Sequence, residues 1–298
     1  MRIAVTGASG LIGRALVTDL EQDGHEVIRL VRRSTTNPQE IQWDPLGGTV
    51  GPGLEGIEAV VHLAGAGVGD HRWTEAYKQE IRDSRVVGTA TLTQAMVELA
   101  DPPKVLVSGS AIGYYGNRGS ERLTESSGSG SGFLADVVKG WEAAAVPAAE
   151  SGIRVVYPRT GLVVSGAGGA FERLFKLFRL GVGGRIGSGN QYWATISLRD
   201  EVRALRFLID HPELSGPVNL TNPNPVPNKI VTKDLATALN RRAFLPVPAA
   251  ALKAVIGEFA SDILSSARVM PAALTSAGFE WLDPTAADAI RTALAEAG

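Results

Sequence analysis

The stretch that decides the fold is Ile3-Ala4-Val5-Thr6-Gly7-Ala8-Ser9-Gly10-Leu11-Ile12-Gly13. Its apolar start predicts a short strand, and the apolar spacing from Leu11 to Gln22 predicts an amphipathic helix directly afterwards. In the turn between them, Gly7 permits a tight bend, Gly10 lets backbone N–H groups approach an anion, and Gly13 lets the helix pack closely on the strand. The stretch therefore predicts a loop that cradles the pyrophosphate of a dinucleotide, with contacts at Gly7, Ser9, Gly10, Leu11, Ile12 and Gly13.

Strand-like and helix-like segments continue to alternate through the first half of the chain. Apolar runs at 25–31, 59–63, 104–107 and 154–157 predict strands, and helical spacing at 75–99 and 133–150 predicts helices. This alternation predicts an α/β fold in which a Rossmann-type, doubly wound parallel sheet is covered by helices on both faces.

The composition changes after about Val164. Glycines cluster at 181–189 and prolines at 222–227 before helical segments resume. We therefore predict a dinucleotide-binding domain over residues 1–164 and a smaller C-terminal substrate lobe over residues 165–298, with the two lobes interleaved. The low-complexity run at 126–132 predicts a mobile surface loop.

Composition and charge narrow the class of protein. The chain has 298 residues, and its 44% hydrophobic content is enough for a substantial core. Its 29 Lys and Arg against 31 Asp and Glu argue against a nucleic-acid partner and favour a small-molecule substrate. The absence of cysteine and the four scattered histidines argue against thiolate chemistry and a metal site. No run approaches about 20 apolar residues, so we expect no membrane association and a cytoplasmic location, with homo-oligomerisation left open.

The end of the second predicted strand bears on the choice of cofactor. About twenty residues after the glycine turn, an NAD-binding domain has an acidic residue that holds the adenosine ribose 2′-hydroxyl. This chain has Arg32 and Arg33 there, and guanidinium groups suit a 2′-phosphate. We therefore favour NADP(H) over NAD(H), and the alternative is that both arginines are solvated surface residues.

Further motifs resemble those of the extended short-chain dehydrogenase/reductases. They are His62-Leu63-Ala64-Gly65-Ala66, Ser108-Gly109-Ser110-Ala111 and Gly187-Ser188-Gly189-Asn190-Gln191. Trp141-Glu142, Pro158-Arg159-Thr160-Gly161 and Ala277-Gly278-Phe279 resemble one atypical branch of that group, whose members are labelled epimerase family proteins. The resemblance covers essentially the whole chain. It implies that Leu63, Ala64, Gly65, Ser108 and Pro158 also line the cofactor, and that the second lobe closes over a sugar or nucleotide-sugar.

The resemblance also implies a catalytic set of Ser, Tyr and Lys, which this sequence does not complete. Ser110 matches the serine that bonds the substrate oxygen. Tyr and Lys should stand at i and i+4 on the helix that begins near Phe133, but Leu134 and Val138 hold those positions. The chain has no tyrosine followed by a lysine four residues later, so the usual acid/base pair is absent.

Two residues are candidates for part of the missing chemistry. Tyr114 follows Ser110 by four residues and is predicted to reach a substrate oxygen, with Arg118 as a neighbouring cation that would lower the pKa of the tyrosine. The alternative is that Tyr114 and Tyr115 only shape a pocket wall. Arg85 stands where the family commonly has an asparagine that points into the active site. It is predicted to bind cofactor phosphate or a substrate carboxylate, and the alternative is a surface ion pair with Glu80 or Asp83.

Two hypotheses for function follow. The first is an NADP(H)-dependent oxidoreductase or epimerase that acts on a sugar-like or other hydroxylated small molecule through Ser110 and Tyr114. The second is an NADP(H)-binding module with a sensing or interaction role, in which the missing pair means lost catalysis. Retention of Ser110 and of a complete substrate lobe favours the first, whereas Leu134 and Val138 favour the second.

Overall fold

The computed structural model describes residues 1–243 and 245–296. The strands are β1 (Arg2–Thr6), β2 (Glu26–Val31), β3 (Glu40–Asp44), β4 (Thr49–Val50), β5 (Ala59–His62), β6 (Val105–Ser108), β7 (Ser110–Ala111), β8 (Arg122–Leu123), β9 (Arg154–Thr160), β10 (Leu162–Val164), β11 (Tyr192–Trp193), β12 (Thr195–Ser197), β13 (Gly216–Leu220), β14 (Val226–Pro227) and β15 (Arg268–Val269). The helices are α1 (Leu11–Gln22), α2 (Glu75–Val97), α3 (Phe133–Ala143), α4 (Val146–Glu150), α5 (Gly169–Arg179), α6 (Leu198–Asp210), α7 (Asn228–Ala238), α8 (Ala249–Ile256), α9 (Phe259–Ile263), α10 (Ala272–Ser276) and α11 (Ala286–Glu296), and a 3-10 turn covers Ile112–Tyr115.

A large, mainly parallel sheet forms the centre of the protein. Its strand order is β13-β9-β6-β5-β1-β2-β3-β4, and β7 continues beside β9 after β6 ends. Only the β3 and β4 pair within this sheet is antiparallel. The strand order reverses direction between β1 and β5, and this switch point is where doubly wound sheets bind ligands, at the carboxyl ends of the strands. The predicted α/β Rossmann-type fold is confirmed.

Each face of the sheet is covered by its own apolar core. On one face, Leu16 of α1 and Leu205 of α6 pack on Ile3 and Val5 of β1. On the other face, Leu92 of α2 packs in a cluster with residues of α4 and of strands β1, β2 and β5. Because side chains alternate along a strand, β1 supplies both cores and is buried throughout its middle.

Residues after 164 contribute both to the large sheet and its helices and to a second lobe. Helix α6 packs on α1, and β13 forms the edge of the large sheet beside β9. The second lobe has a separate core, in which Phe171, Phe175 and Phe178 of α5 pack against α7 and α11. Within the described residues, none of the helices has the length and apolar character needed to cross a membrane.

Two local features bear on the prediction, and one of them differs from it. The single helix expected at 133–150 is two helices, because Pro147 has no backbone N–H to continue the hydrogen bonding and instead lies in the first turn of α4. The run at 126–132 lies at the surface but is anchored, since the Gly130 N–H donates to the Tyr114 carbonyl at 2.9 Å. The predicted surface position is confirmed, and the mobility of this run stays a prediction.

Candidate active site

The turn after β1 has the shape that a dinucleotide loop requires. Gly7 has φ +66°, and an added Cβ would lie 2.7 Å from the Leu63 carbonyl carbon, so that only glycine fits. A Cβ on Gly13 would lie 2.2 Å from the Gly7 oxygen, which explains the close contact between α1 and the turn. Gly10 has an ordinary extended backbone and is exposed, so it is not needed to relieve backbone strain, although an added Cβ would lie 3.2 Å from the Gly7 oxygen.

The loop presents free hydrogen-bond donors at the N-terminus of α1. Gly10 caps this helix without a side-chain hydrogen bond, and the first turn contains no acidic residue. The first N–H groups of α1 are therefore available to an anion, which the helix dipole also favours. The exposed Ser9 lies in the turn, Ile12 packs against the core, and Leu11 contacts Gly168 of the second lobe. Because Gly10 brings no side chain to the exposed N-terminus of α1, the backbone N–H groups there stay accessible, and this turn fits the pyrophosphate of a dinucleotide.

Thr6 joins this loop to the end of β5 at the switch point. Its Oγ1 accepts hydrogen bonds from the Leu63 and Ala64 N–H groups, both at 3.1 Å. The same hydroxyl is 2.7 Å from Nδ1 of His62, whose Nε2 lies 3.0 Å from Thr89 Oγ1. Burial, with a smaller contribution from the positive charge of Arg85, lowers the pKa of His62 to about 4. His62 is therefore a neutral residue that fixes the backbone of the site.

Arg32 and Arg33 both follow β2 at the surface, but their surroundings differ. Arg33 Nη2 lies 2.7 Å from Glu40 Oε1, and Thr35 donates to the other carboxylate oxygen at 2.6 Å. The Thr35 hydrogen bond and the charge of Arg33 hold the pKa of Glu40 below its ordinary value. Arg32 has no ion pair within the part of the chain that the structure describes. Arg32 is therefore the cation that remains available to a 2′-phosphate.

Arg85 lies against the backbone that follows β5. An added Cβ on Gly65 would be 3.2 Å from the Arg85 guanidinium carbon, and this guanidinium lies 5.1 Å from the centre of the Trp141 ring. Arg85 donates to the Ile81 carbonyl, and burial lowers the pKa of Arg85 to about 10. No carboxylate within residues 1–243 or 245–296 pairs with it, so the alternative of an ion pair with Glu80 or Asp83 is wrong.

Ser110 belongs to a buried polar network rather than standing alone. Its Oγ donates to Glu142 Oε1 at 2.6 Å. Arg159 donates to both oxygens of the same carboxylate, from Nε at 2.8 Å and from Nη2 at 2.9 Å. Burial disfavours the charged guanidinium, but the hydrogen bonds and charge of Glu142 outweigh it and raise the pKa of Arg159. The serine hydroxyl is thereby held in one orientation at the carboxyl end of the sheet.

The two neighbouring tyrosines have different roles in this network. Tyr115 is fully buried; its hydroxyl accepts from Arg159 at 3.0 Å and donates to Asn219 Oδ1 at 2.8 Å. Tyr114 is partly exposed, and its ring centre lies 3.5 Å from the Arg159 guanidinium carbon. Arg118, the cation expected beside Tyr114, instead pairs with Glu121 at 2.7 Å. The cation next to Tyr114 is therefore Arg159.

The comparisons with known proteins agree with this geometry. The model of the NAD dependent epimerase/dehydratase family matches residues 3–221. The chain belongs to this family. A second model, a domain of unknown function (DUF1731), matches residues 247–293. The family assignment and the loop geometry together establish an NAD(P)-binding Rossmann fold.

Individual relatives extend over the full chain. An epimerase family protein of Mycobacterium tuberculosis (strain CDC 1551 / Oshkosh) is 44% identical over 298 residues, which cover 99% of this chain and 98% of that protein. A crystal structure of the human epimerase family protein SDR39U1 (isoform 2) with NADPH is similar at a TM-score of 0.91 and 33% identity, covering 98% of each chain. A nucleoside-diphosphate sugar epimerase from Corynebacterium glutamicum is similar at a TM-score of 0.81 and 36% identity, covering 99% of this chain and 58% of that one.

At the two positions of α3 where the acid/base pair was expected, the side chains are apolar. A Cβ on Gly113 would lie 3.4 Å from Leu134 Cβ and 3.9 Å from Val138 Cγ2, so both apolar side chains face the turn that follows Ser110. Lys139 points elsewhere and pairs with Asp136 at 2.7 Å on the surface. The displaced lysine of α3 is therefore not part of the Ser110 network.

Two predicted cofactor residues lie deeper than the loops around them. Ser108, at the end of β6, is fully buried, and its hydroxyl has no hydrogen-bond partner among the described residues. Pro158 lies inside β9, opposite the break at Gly109 between β6 and β7. A strand position facing this break needs no N–H donor, which explains how a proline fits within the sheet. Their roles toward a cofactor stay predictions.

Sequence reasoning missed the partners of Ser110. Glu142 and Arg159 were noted as parts of the Trp141-Glu142 and Pro158-Arg159 motifs, but their pairing across α3 and β9 was not predicted. A signal was present, because Arg159 directly follows the mainly apolar run 155–158, and a charged residue at such a position should need a buried partner. Asn219 in β13 carries the same kind of signal, since it is a fully buried polar residue between apolar neighbours.

Proposed function

We propose that this protein is an NADP(H)-dependent oxidoreductase or epimerase that acts on a sugar-like or other hydroxylated small molecule. The observation that carries the proposal is a continuous series of contacts along the carboxyl edge of the sheet. It runs from the phosphate loop to Gly65, then through Arg85 and Trp141 to the Glu142 carboxylate that holds Ser110. A dinucleotide on the loop and a substrate at Ser110 would therefore share one cleft.

The choice of NADP(H) rests on charge at the adenosine end. Arg32 is exposed and has no carboxylate partner in the described part of the chain, whereas Glu40 is already occupied by Arg33 and Thr35. A 2′-phosphate would find a cation at Arg32 and no free carboxylate to repel it. The crystal structure of the similar human SDR39U1 with NADPH supports the same choice.

Ser110 is proposed to hold the reacting oxygen of the substrate. A bound nicotinamide cofactor would supply or accept the hydride. Because the Ser110 hydroxyl donates to Glu142, its oxygen lone pairs are left to accept a hydrogen bond from a substrate alcohol. A proton released by that alcohol can pass to Ser110 as the serine proton moves to Glu142, while Arg159 keeps the carboxylate oriented. Tyr114 borders the same place and is proposed as a second contact to the substrate oxygen.

Titration of the protein with NADPH and NADH tests cofactor choice. We expect NADPH to bind more tightly, and Arg32→Ala to weaken NADPH by about 1.5–3 kcal/mol, or roughly tenfold to 150-fold, with little effect on NADH. Gly10→Asp should abolish binding of both without unfolding the protein, because an added Cβ meets only the Gly7 oxygen, at 3.2 Å. A wild-type preference for NADH would contradict the charge argument.

Turnover separates the two functional hypotheses. Sugars, nucleotide-sugars and small carbonyl compounds should be screened for a change in NADPH absorbance or for exchange of epimers. We expect Ser110→Ala to reduce turnover at least about tenfold, and Lys139→Ala, whose side chain pairs with Asp136 at the surface, to change it by no more than about twofold. If Lys139→Ala is the more damaging change, the assignment of the α3 positions is wrong.

A binding module is the second candidate, and the apolar pair Leu134 and Val138 favours it. Tight NADPH binding without turnover of any compound would make this candidate the better one. In both cases we propose a small-molecule ligand and a cytoplasmic location, and we propose no nucleic-acid partner because the overall charge is −2.

A further inference from the structure

A groove on the second lobe has a concentration of positive charge that the proposed chemistry does not use. It has a volume of about 490 Å³, and among the described residues it is lined by five cationic side chains and by no acidic one. The cations are Arg185, Lys229, Lys233, Arg241 and Arg242. Since the whole chain has a net charge of −2, this local excess is not a reflection of overall composition.

The groove follows one face of α7. Lys229, Thr232 and Lys233 lie on this face at spacings of three and four residues, so the Cα atoms of the two lysines lie about one turn, or about 6 Å, apart along the helix. Arg185 lies close to Lys229, because a Cβ added to Gly189 would contact the side chains of both residues. The groove therefore has cations on two different segments that face the same space.

Three of these cations donate hydrogen bonds to neutral oxygens. Lys229 Nζ donates to Asn190 Oδ1 at 3.0 Å, Arg185 donates to the Ser188 carbonyl at 3.2 Å, and Arg241 donates to the Arg179 carbonyl at 3.3 Å. Elsewhere on the same lobe the pattern is different: Lys176, for example, is paired with the Glu172 carboxylate. Asp234 adjoins Lys233 along α7 but is not among the residues that line the groove.

We propose that this groove binds a small organic ligand that carries two or more phosphate groups, such as a nucleoside triphosphate. Several cations without a lining carboxylate attract a ligand of high negative charge, and the Thr232 and Thr237 hydroxyls add neutral donors. The volume lies within the roughly 300–1,000 Å³ that is common for small-molecule sites. The lining residues that the structure describes come from α7, from residues 240–243 and from Arg185, and none of them belongs to the phosphate loop at residues 7–13.

The test is a calorimetric titration of ATP into the protein that has been saturated with NADPH, which keeps the cofactor cleft occupied. We expect saturable 1:1 binding that weakens as salt is added, with inorganic tripolyphosphate as a competitor and AMP as a weaker ligand. Lys229→Gln combined with Lys233→Gln should weaken ATP at least about tenfold, because two charged hydrogen-bond donors are lost. NADPH affinity should stay unchanged in this variant, which also shows that it is folded.

A matched control removes two cations outside the groove. Arg82 and Lys253 are exposed on α2 and α8, and Arg82→Gln with Lys253→Gln changes the net charge by the same amount. We expect this control to alter ATP affinity by less than about twofold. The proposal is overturned by an absence of saturable ATP binding, by an equal effect of the control, or by displacement of NADPH. Tighter binding of an oligonucleotide that increases with its length would also overturn it, since it would indicate a nucleic-acid surface instead.

Discussion

The ion pair between Glu142 and Arg159 offers a strong test of how this site is held together. The Arg159 side chain is only 3% exposed and that of Glu142 is 14% exposed. Glu142→Gln keeps the size of the side chain but removes its charge, which leaves the buried guanidinium without a counterion. Breaking a buried pair in this way costs about 3–5 kcal/mol, because the remaining charge has lost both water and its partner. We therefore expect Glu142→Gln to lower the free energy of unfolding by that amount.

The same helix provides a matched control. Asp136 and Lys139 of α3 form an ion pair of 2.7 Å, close to the 2.8 Å of the buried pair, but their side chains are 66% and 45% exposed. Solvent screens such a pair, so Asp136→Asn should cost at most about 1 kcal/mol. The comparison separates burial from distance, since the two pairs share a helix and nearly the same length.

Urea denaturation followed by tryptophan fluorescence and circular dichroism measures both changes. Arg159→Met in the Glu142→Gln background should recover part of the lost stability, because removal of both charges leaves no uncompensated ion. If Glu142→Gln costs no more than Asp136→Asn, the carboxylate does not neutralise Arg159 as the structure indicates. A double variant that is less stable than the sum of the two single changes would also refute the reasoning.

Three further changes test buried groups elsewhere. Burial lowers the pKa of His62 from 6.5 to about 4, so the unfolded state binds more protons than the folded state between these pH values. The free energy of unfolding should therefore fall by about 3 kcal/mol as the pH is lowered from 6.5 to 4. In urea melts, His62→Gln should flatten this dependence of the unfolding free energy on pH. Burial, opposed by a Thr160 hydrogen bond, raises the pKa of Glu201 from 4.5 to about 8. The free energy of unfolding should therefore fall by roughly 5 kcal/mol as the pH rises through that range. Glu201→Gln should be more stable than the wild type at pH 8. Val138→Lys introduces an ammonium group at a site that is 3% exposed, so it should destabilise the protein by about 3 kcal/mol or more. We expect the same loss when Leu134→Tyr is also present. Unchanged stability would show that this position opens to solvent.

Local patterns allowed the first half of the fold to be predicted. β1, the glycine turn and α1 are encoded within neighbouring residues, and α1 has the predicted bounds Leu11–Gln22. β3 was missed because Glu40–Asp44 alternates charged or polar residues with Ile41 and Trp43 in a short segment rich in turn residues on both sides. The break between α3 and α4 was readable from Pro147, but the continuous apolar spacing was given more weight.

Contacts between distant segments could not be predicted from spacing. Arg32 and Arg33 are alike in the sequence, and only the position of Glu40 on the neighbouring strand shows that Arg33 is paired. Arg85 presents the opposite case, since acidic residues at nearby helical positions suggested a surface pair that the orientation of the side chain does not allow. In both cases the decisive factor is which charge the folded chain brings close, and this depends on tertiary structure.

The apolar pair on α3 and the polar network behind Ser110 are two parts of one arrangement. Leu134 and Val138 pack on the turn at Gly113, so α3 stabilises the loop that begins with Ser110 but offers it no proton. The polar partner of that serine is Glu142, one turn beyond Val138 on the same helix, which is held by Arg159 from β9. Ser110 is only 5% exposed, so a ligand can reach it mainly through the oxygen lone pairs that its bond to Glu142 leaves free. Whether this geometry serves turnover or binding alone therefore depends on that single hydroxyl, and comparison of Ser110→Ala with wild type distinguishes the two.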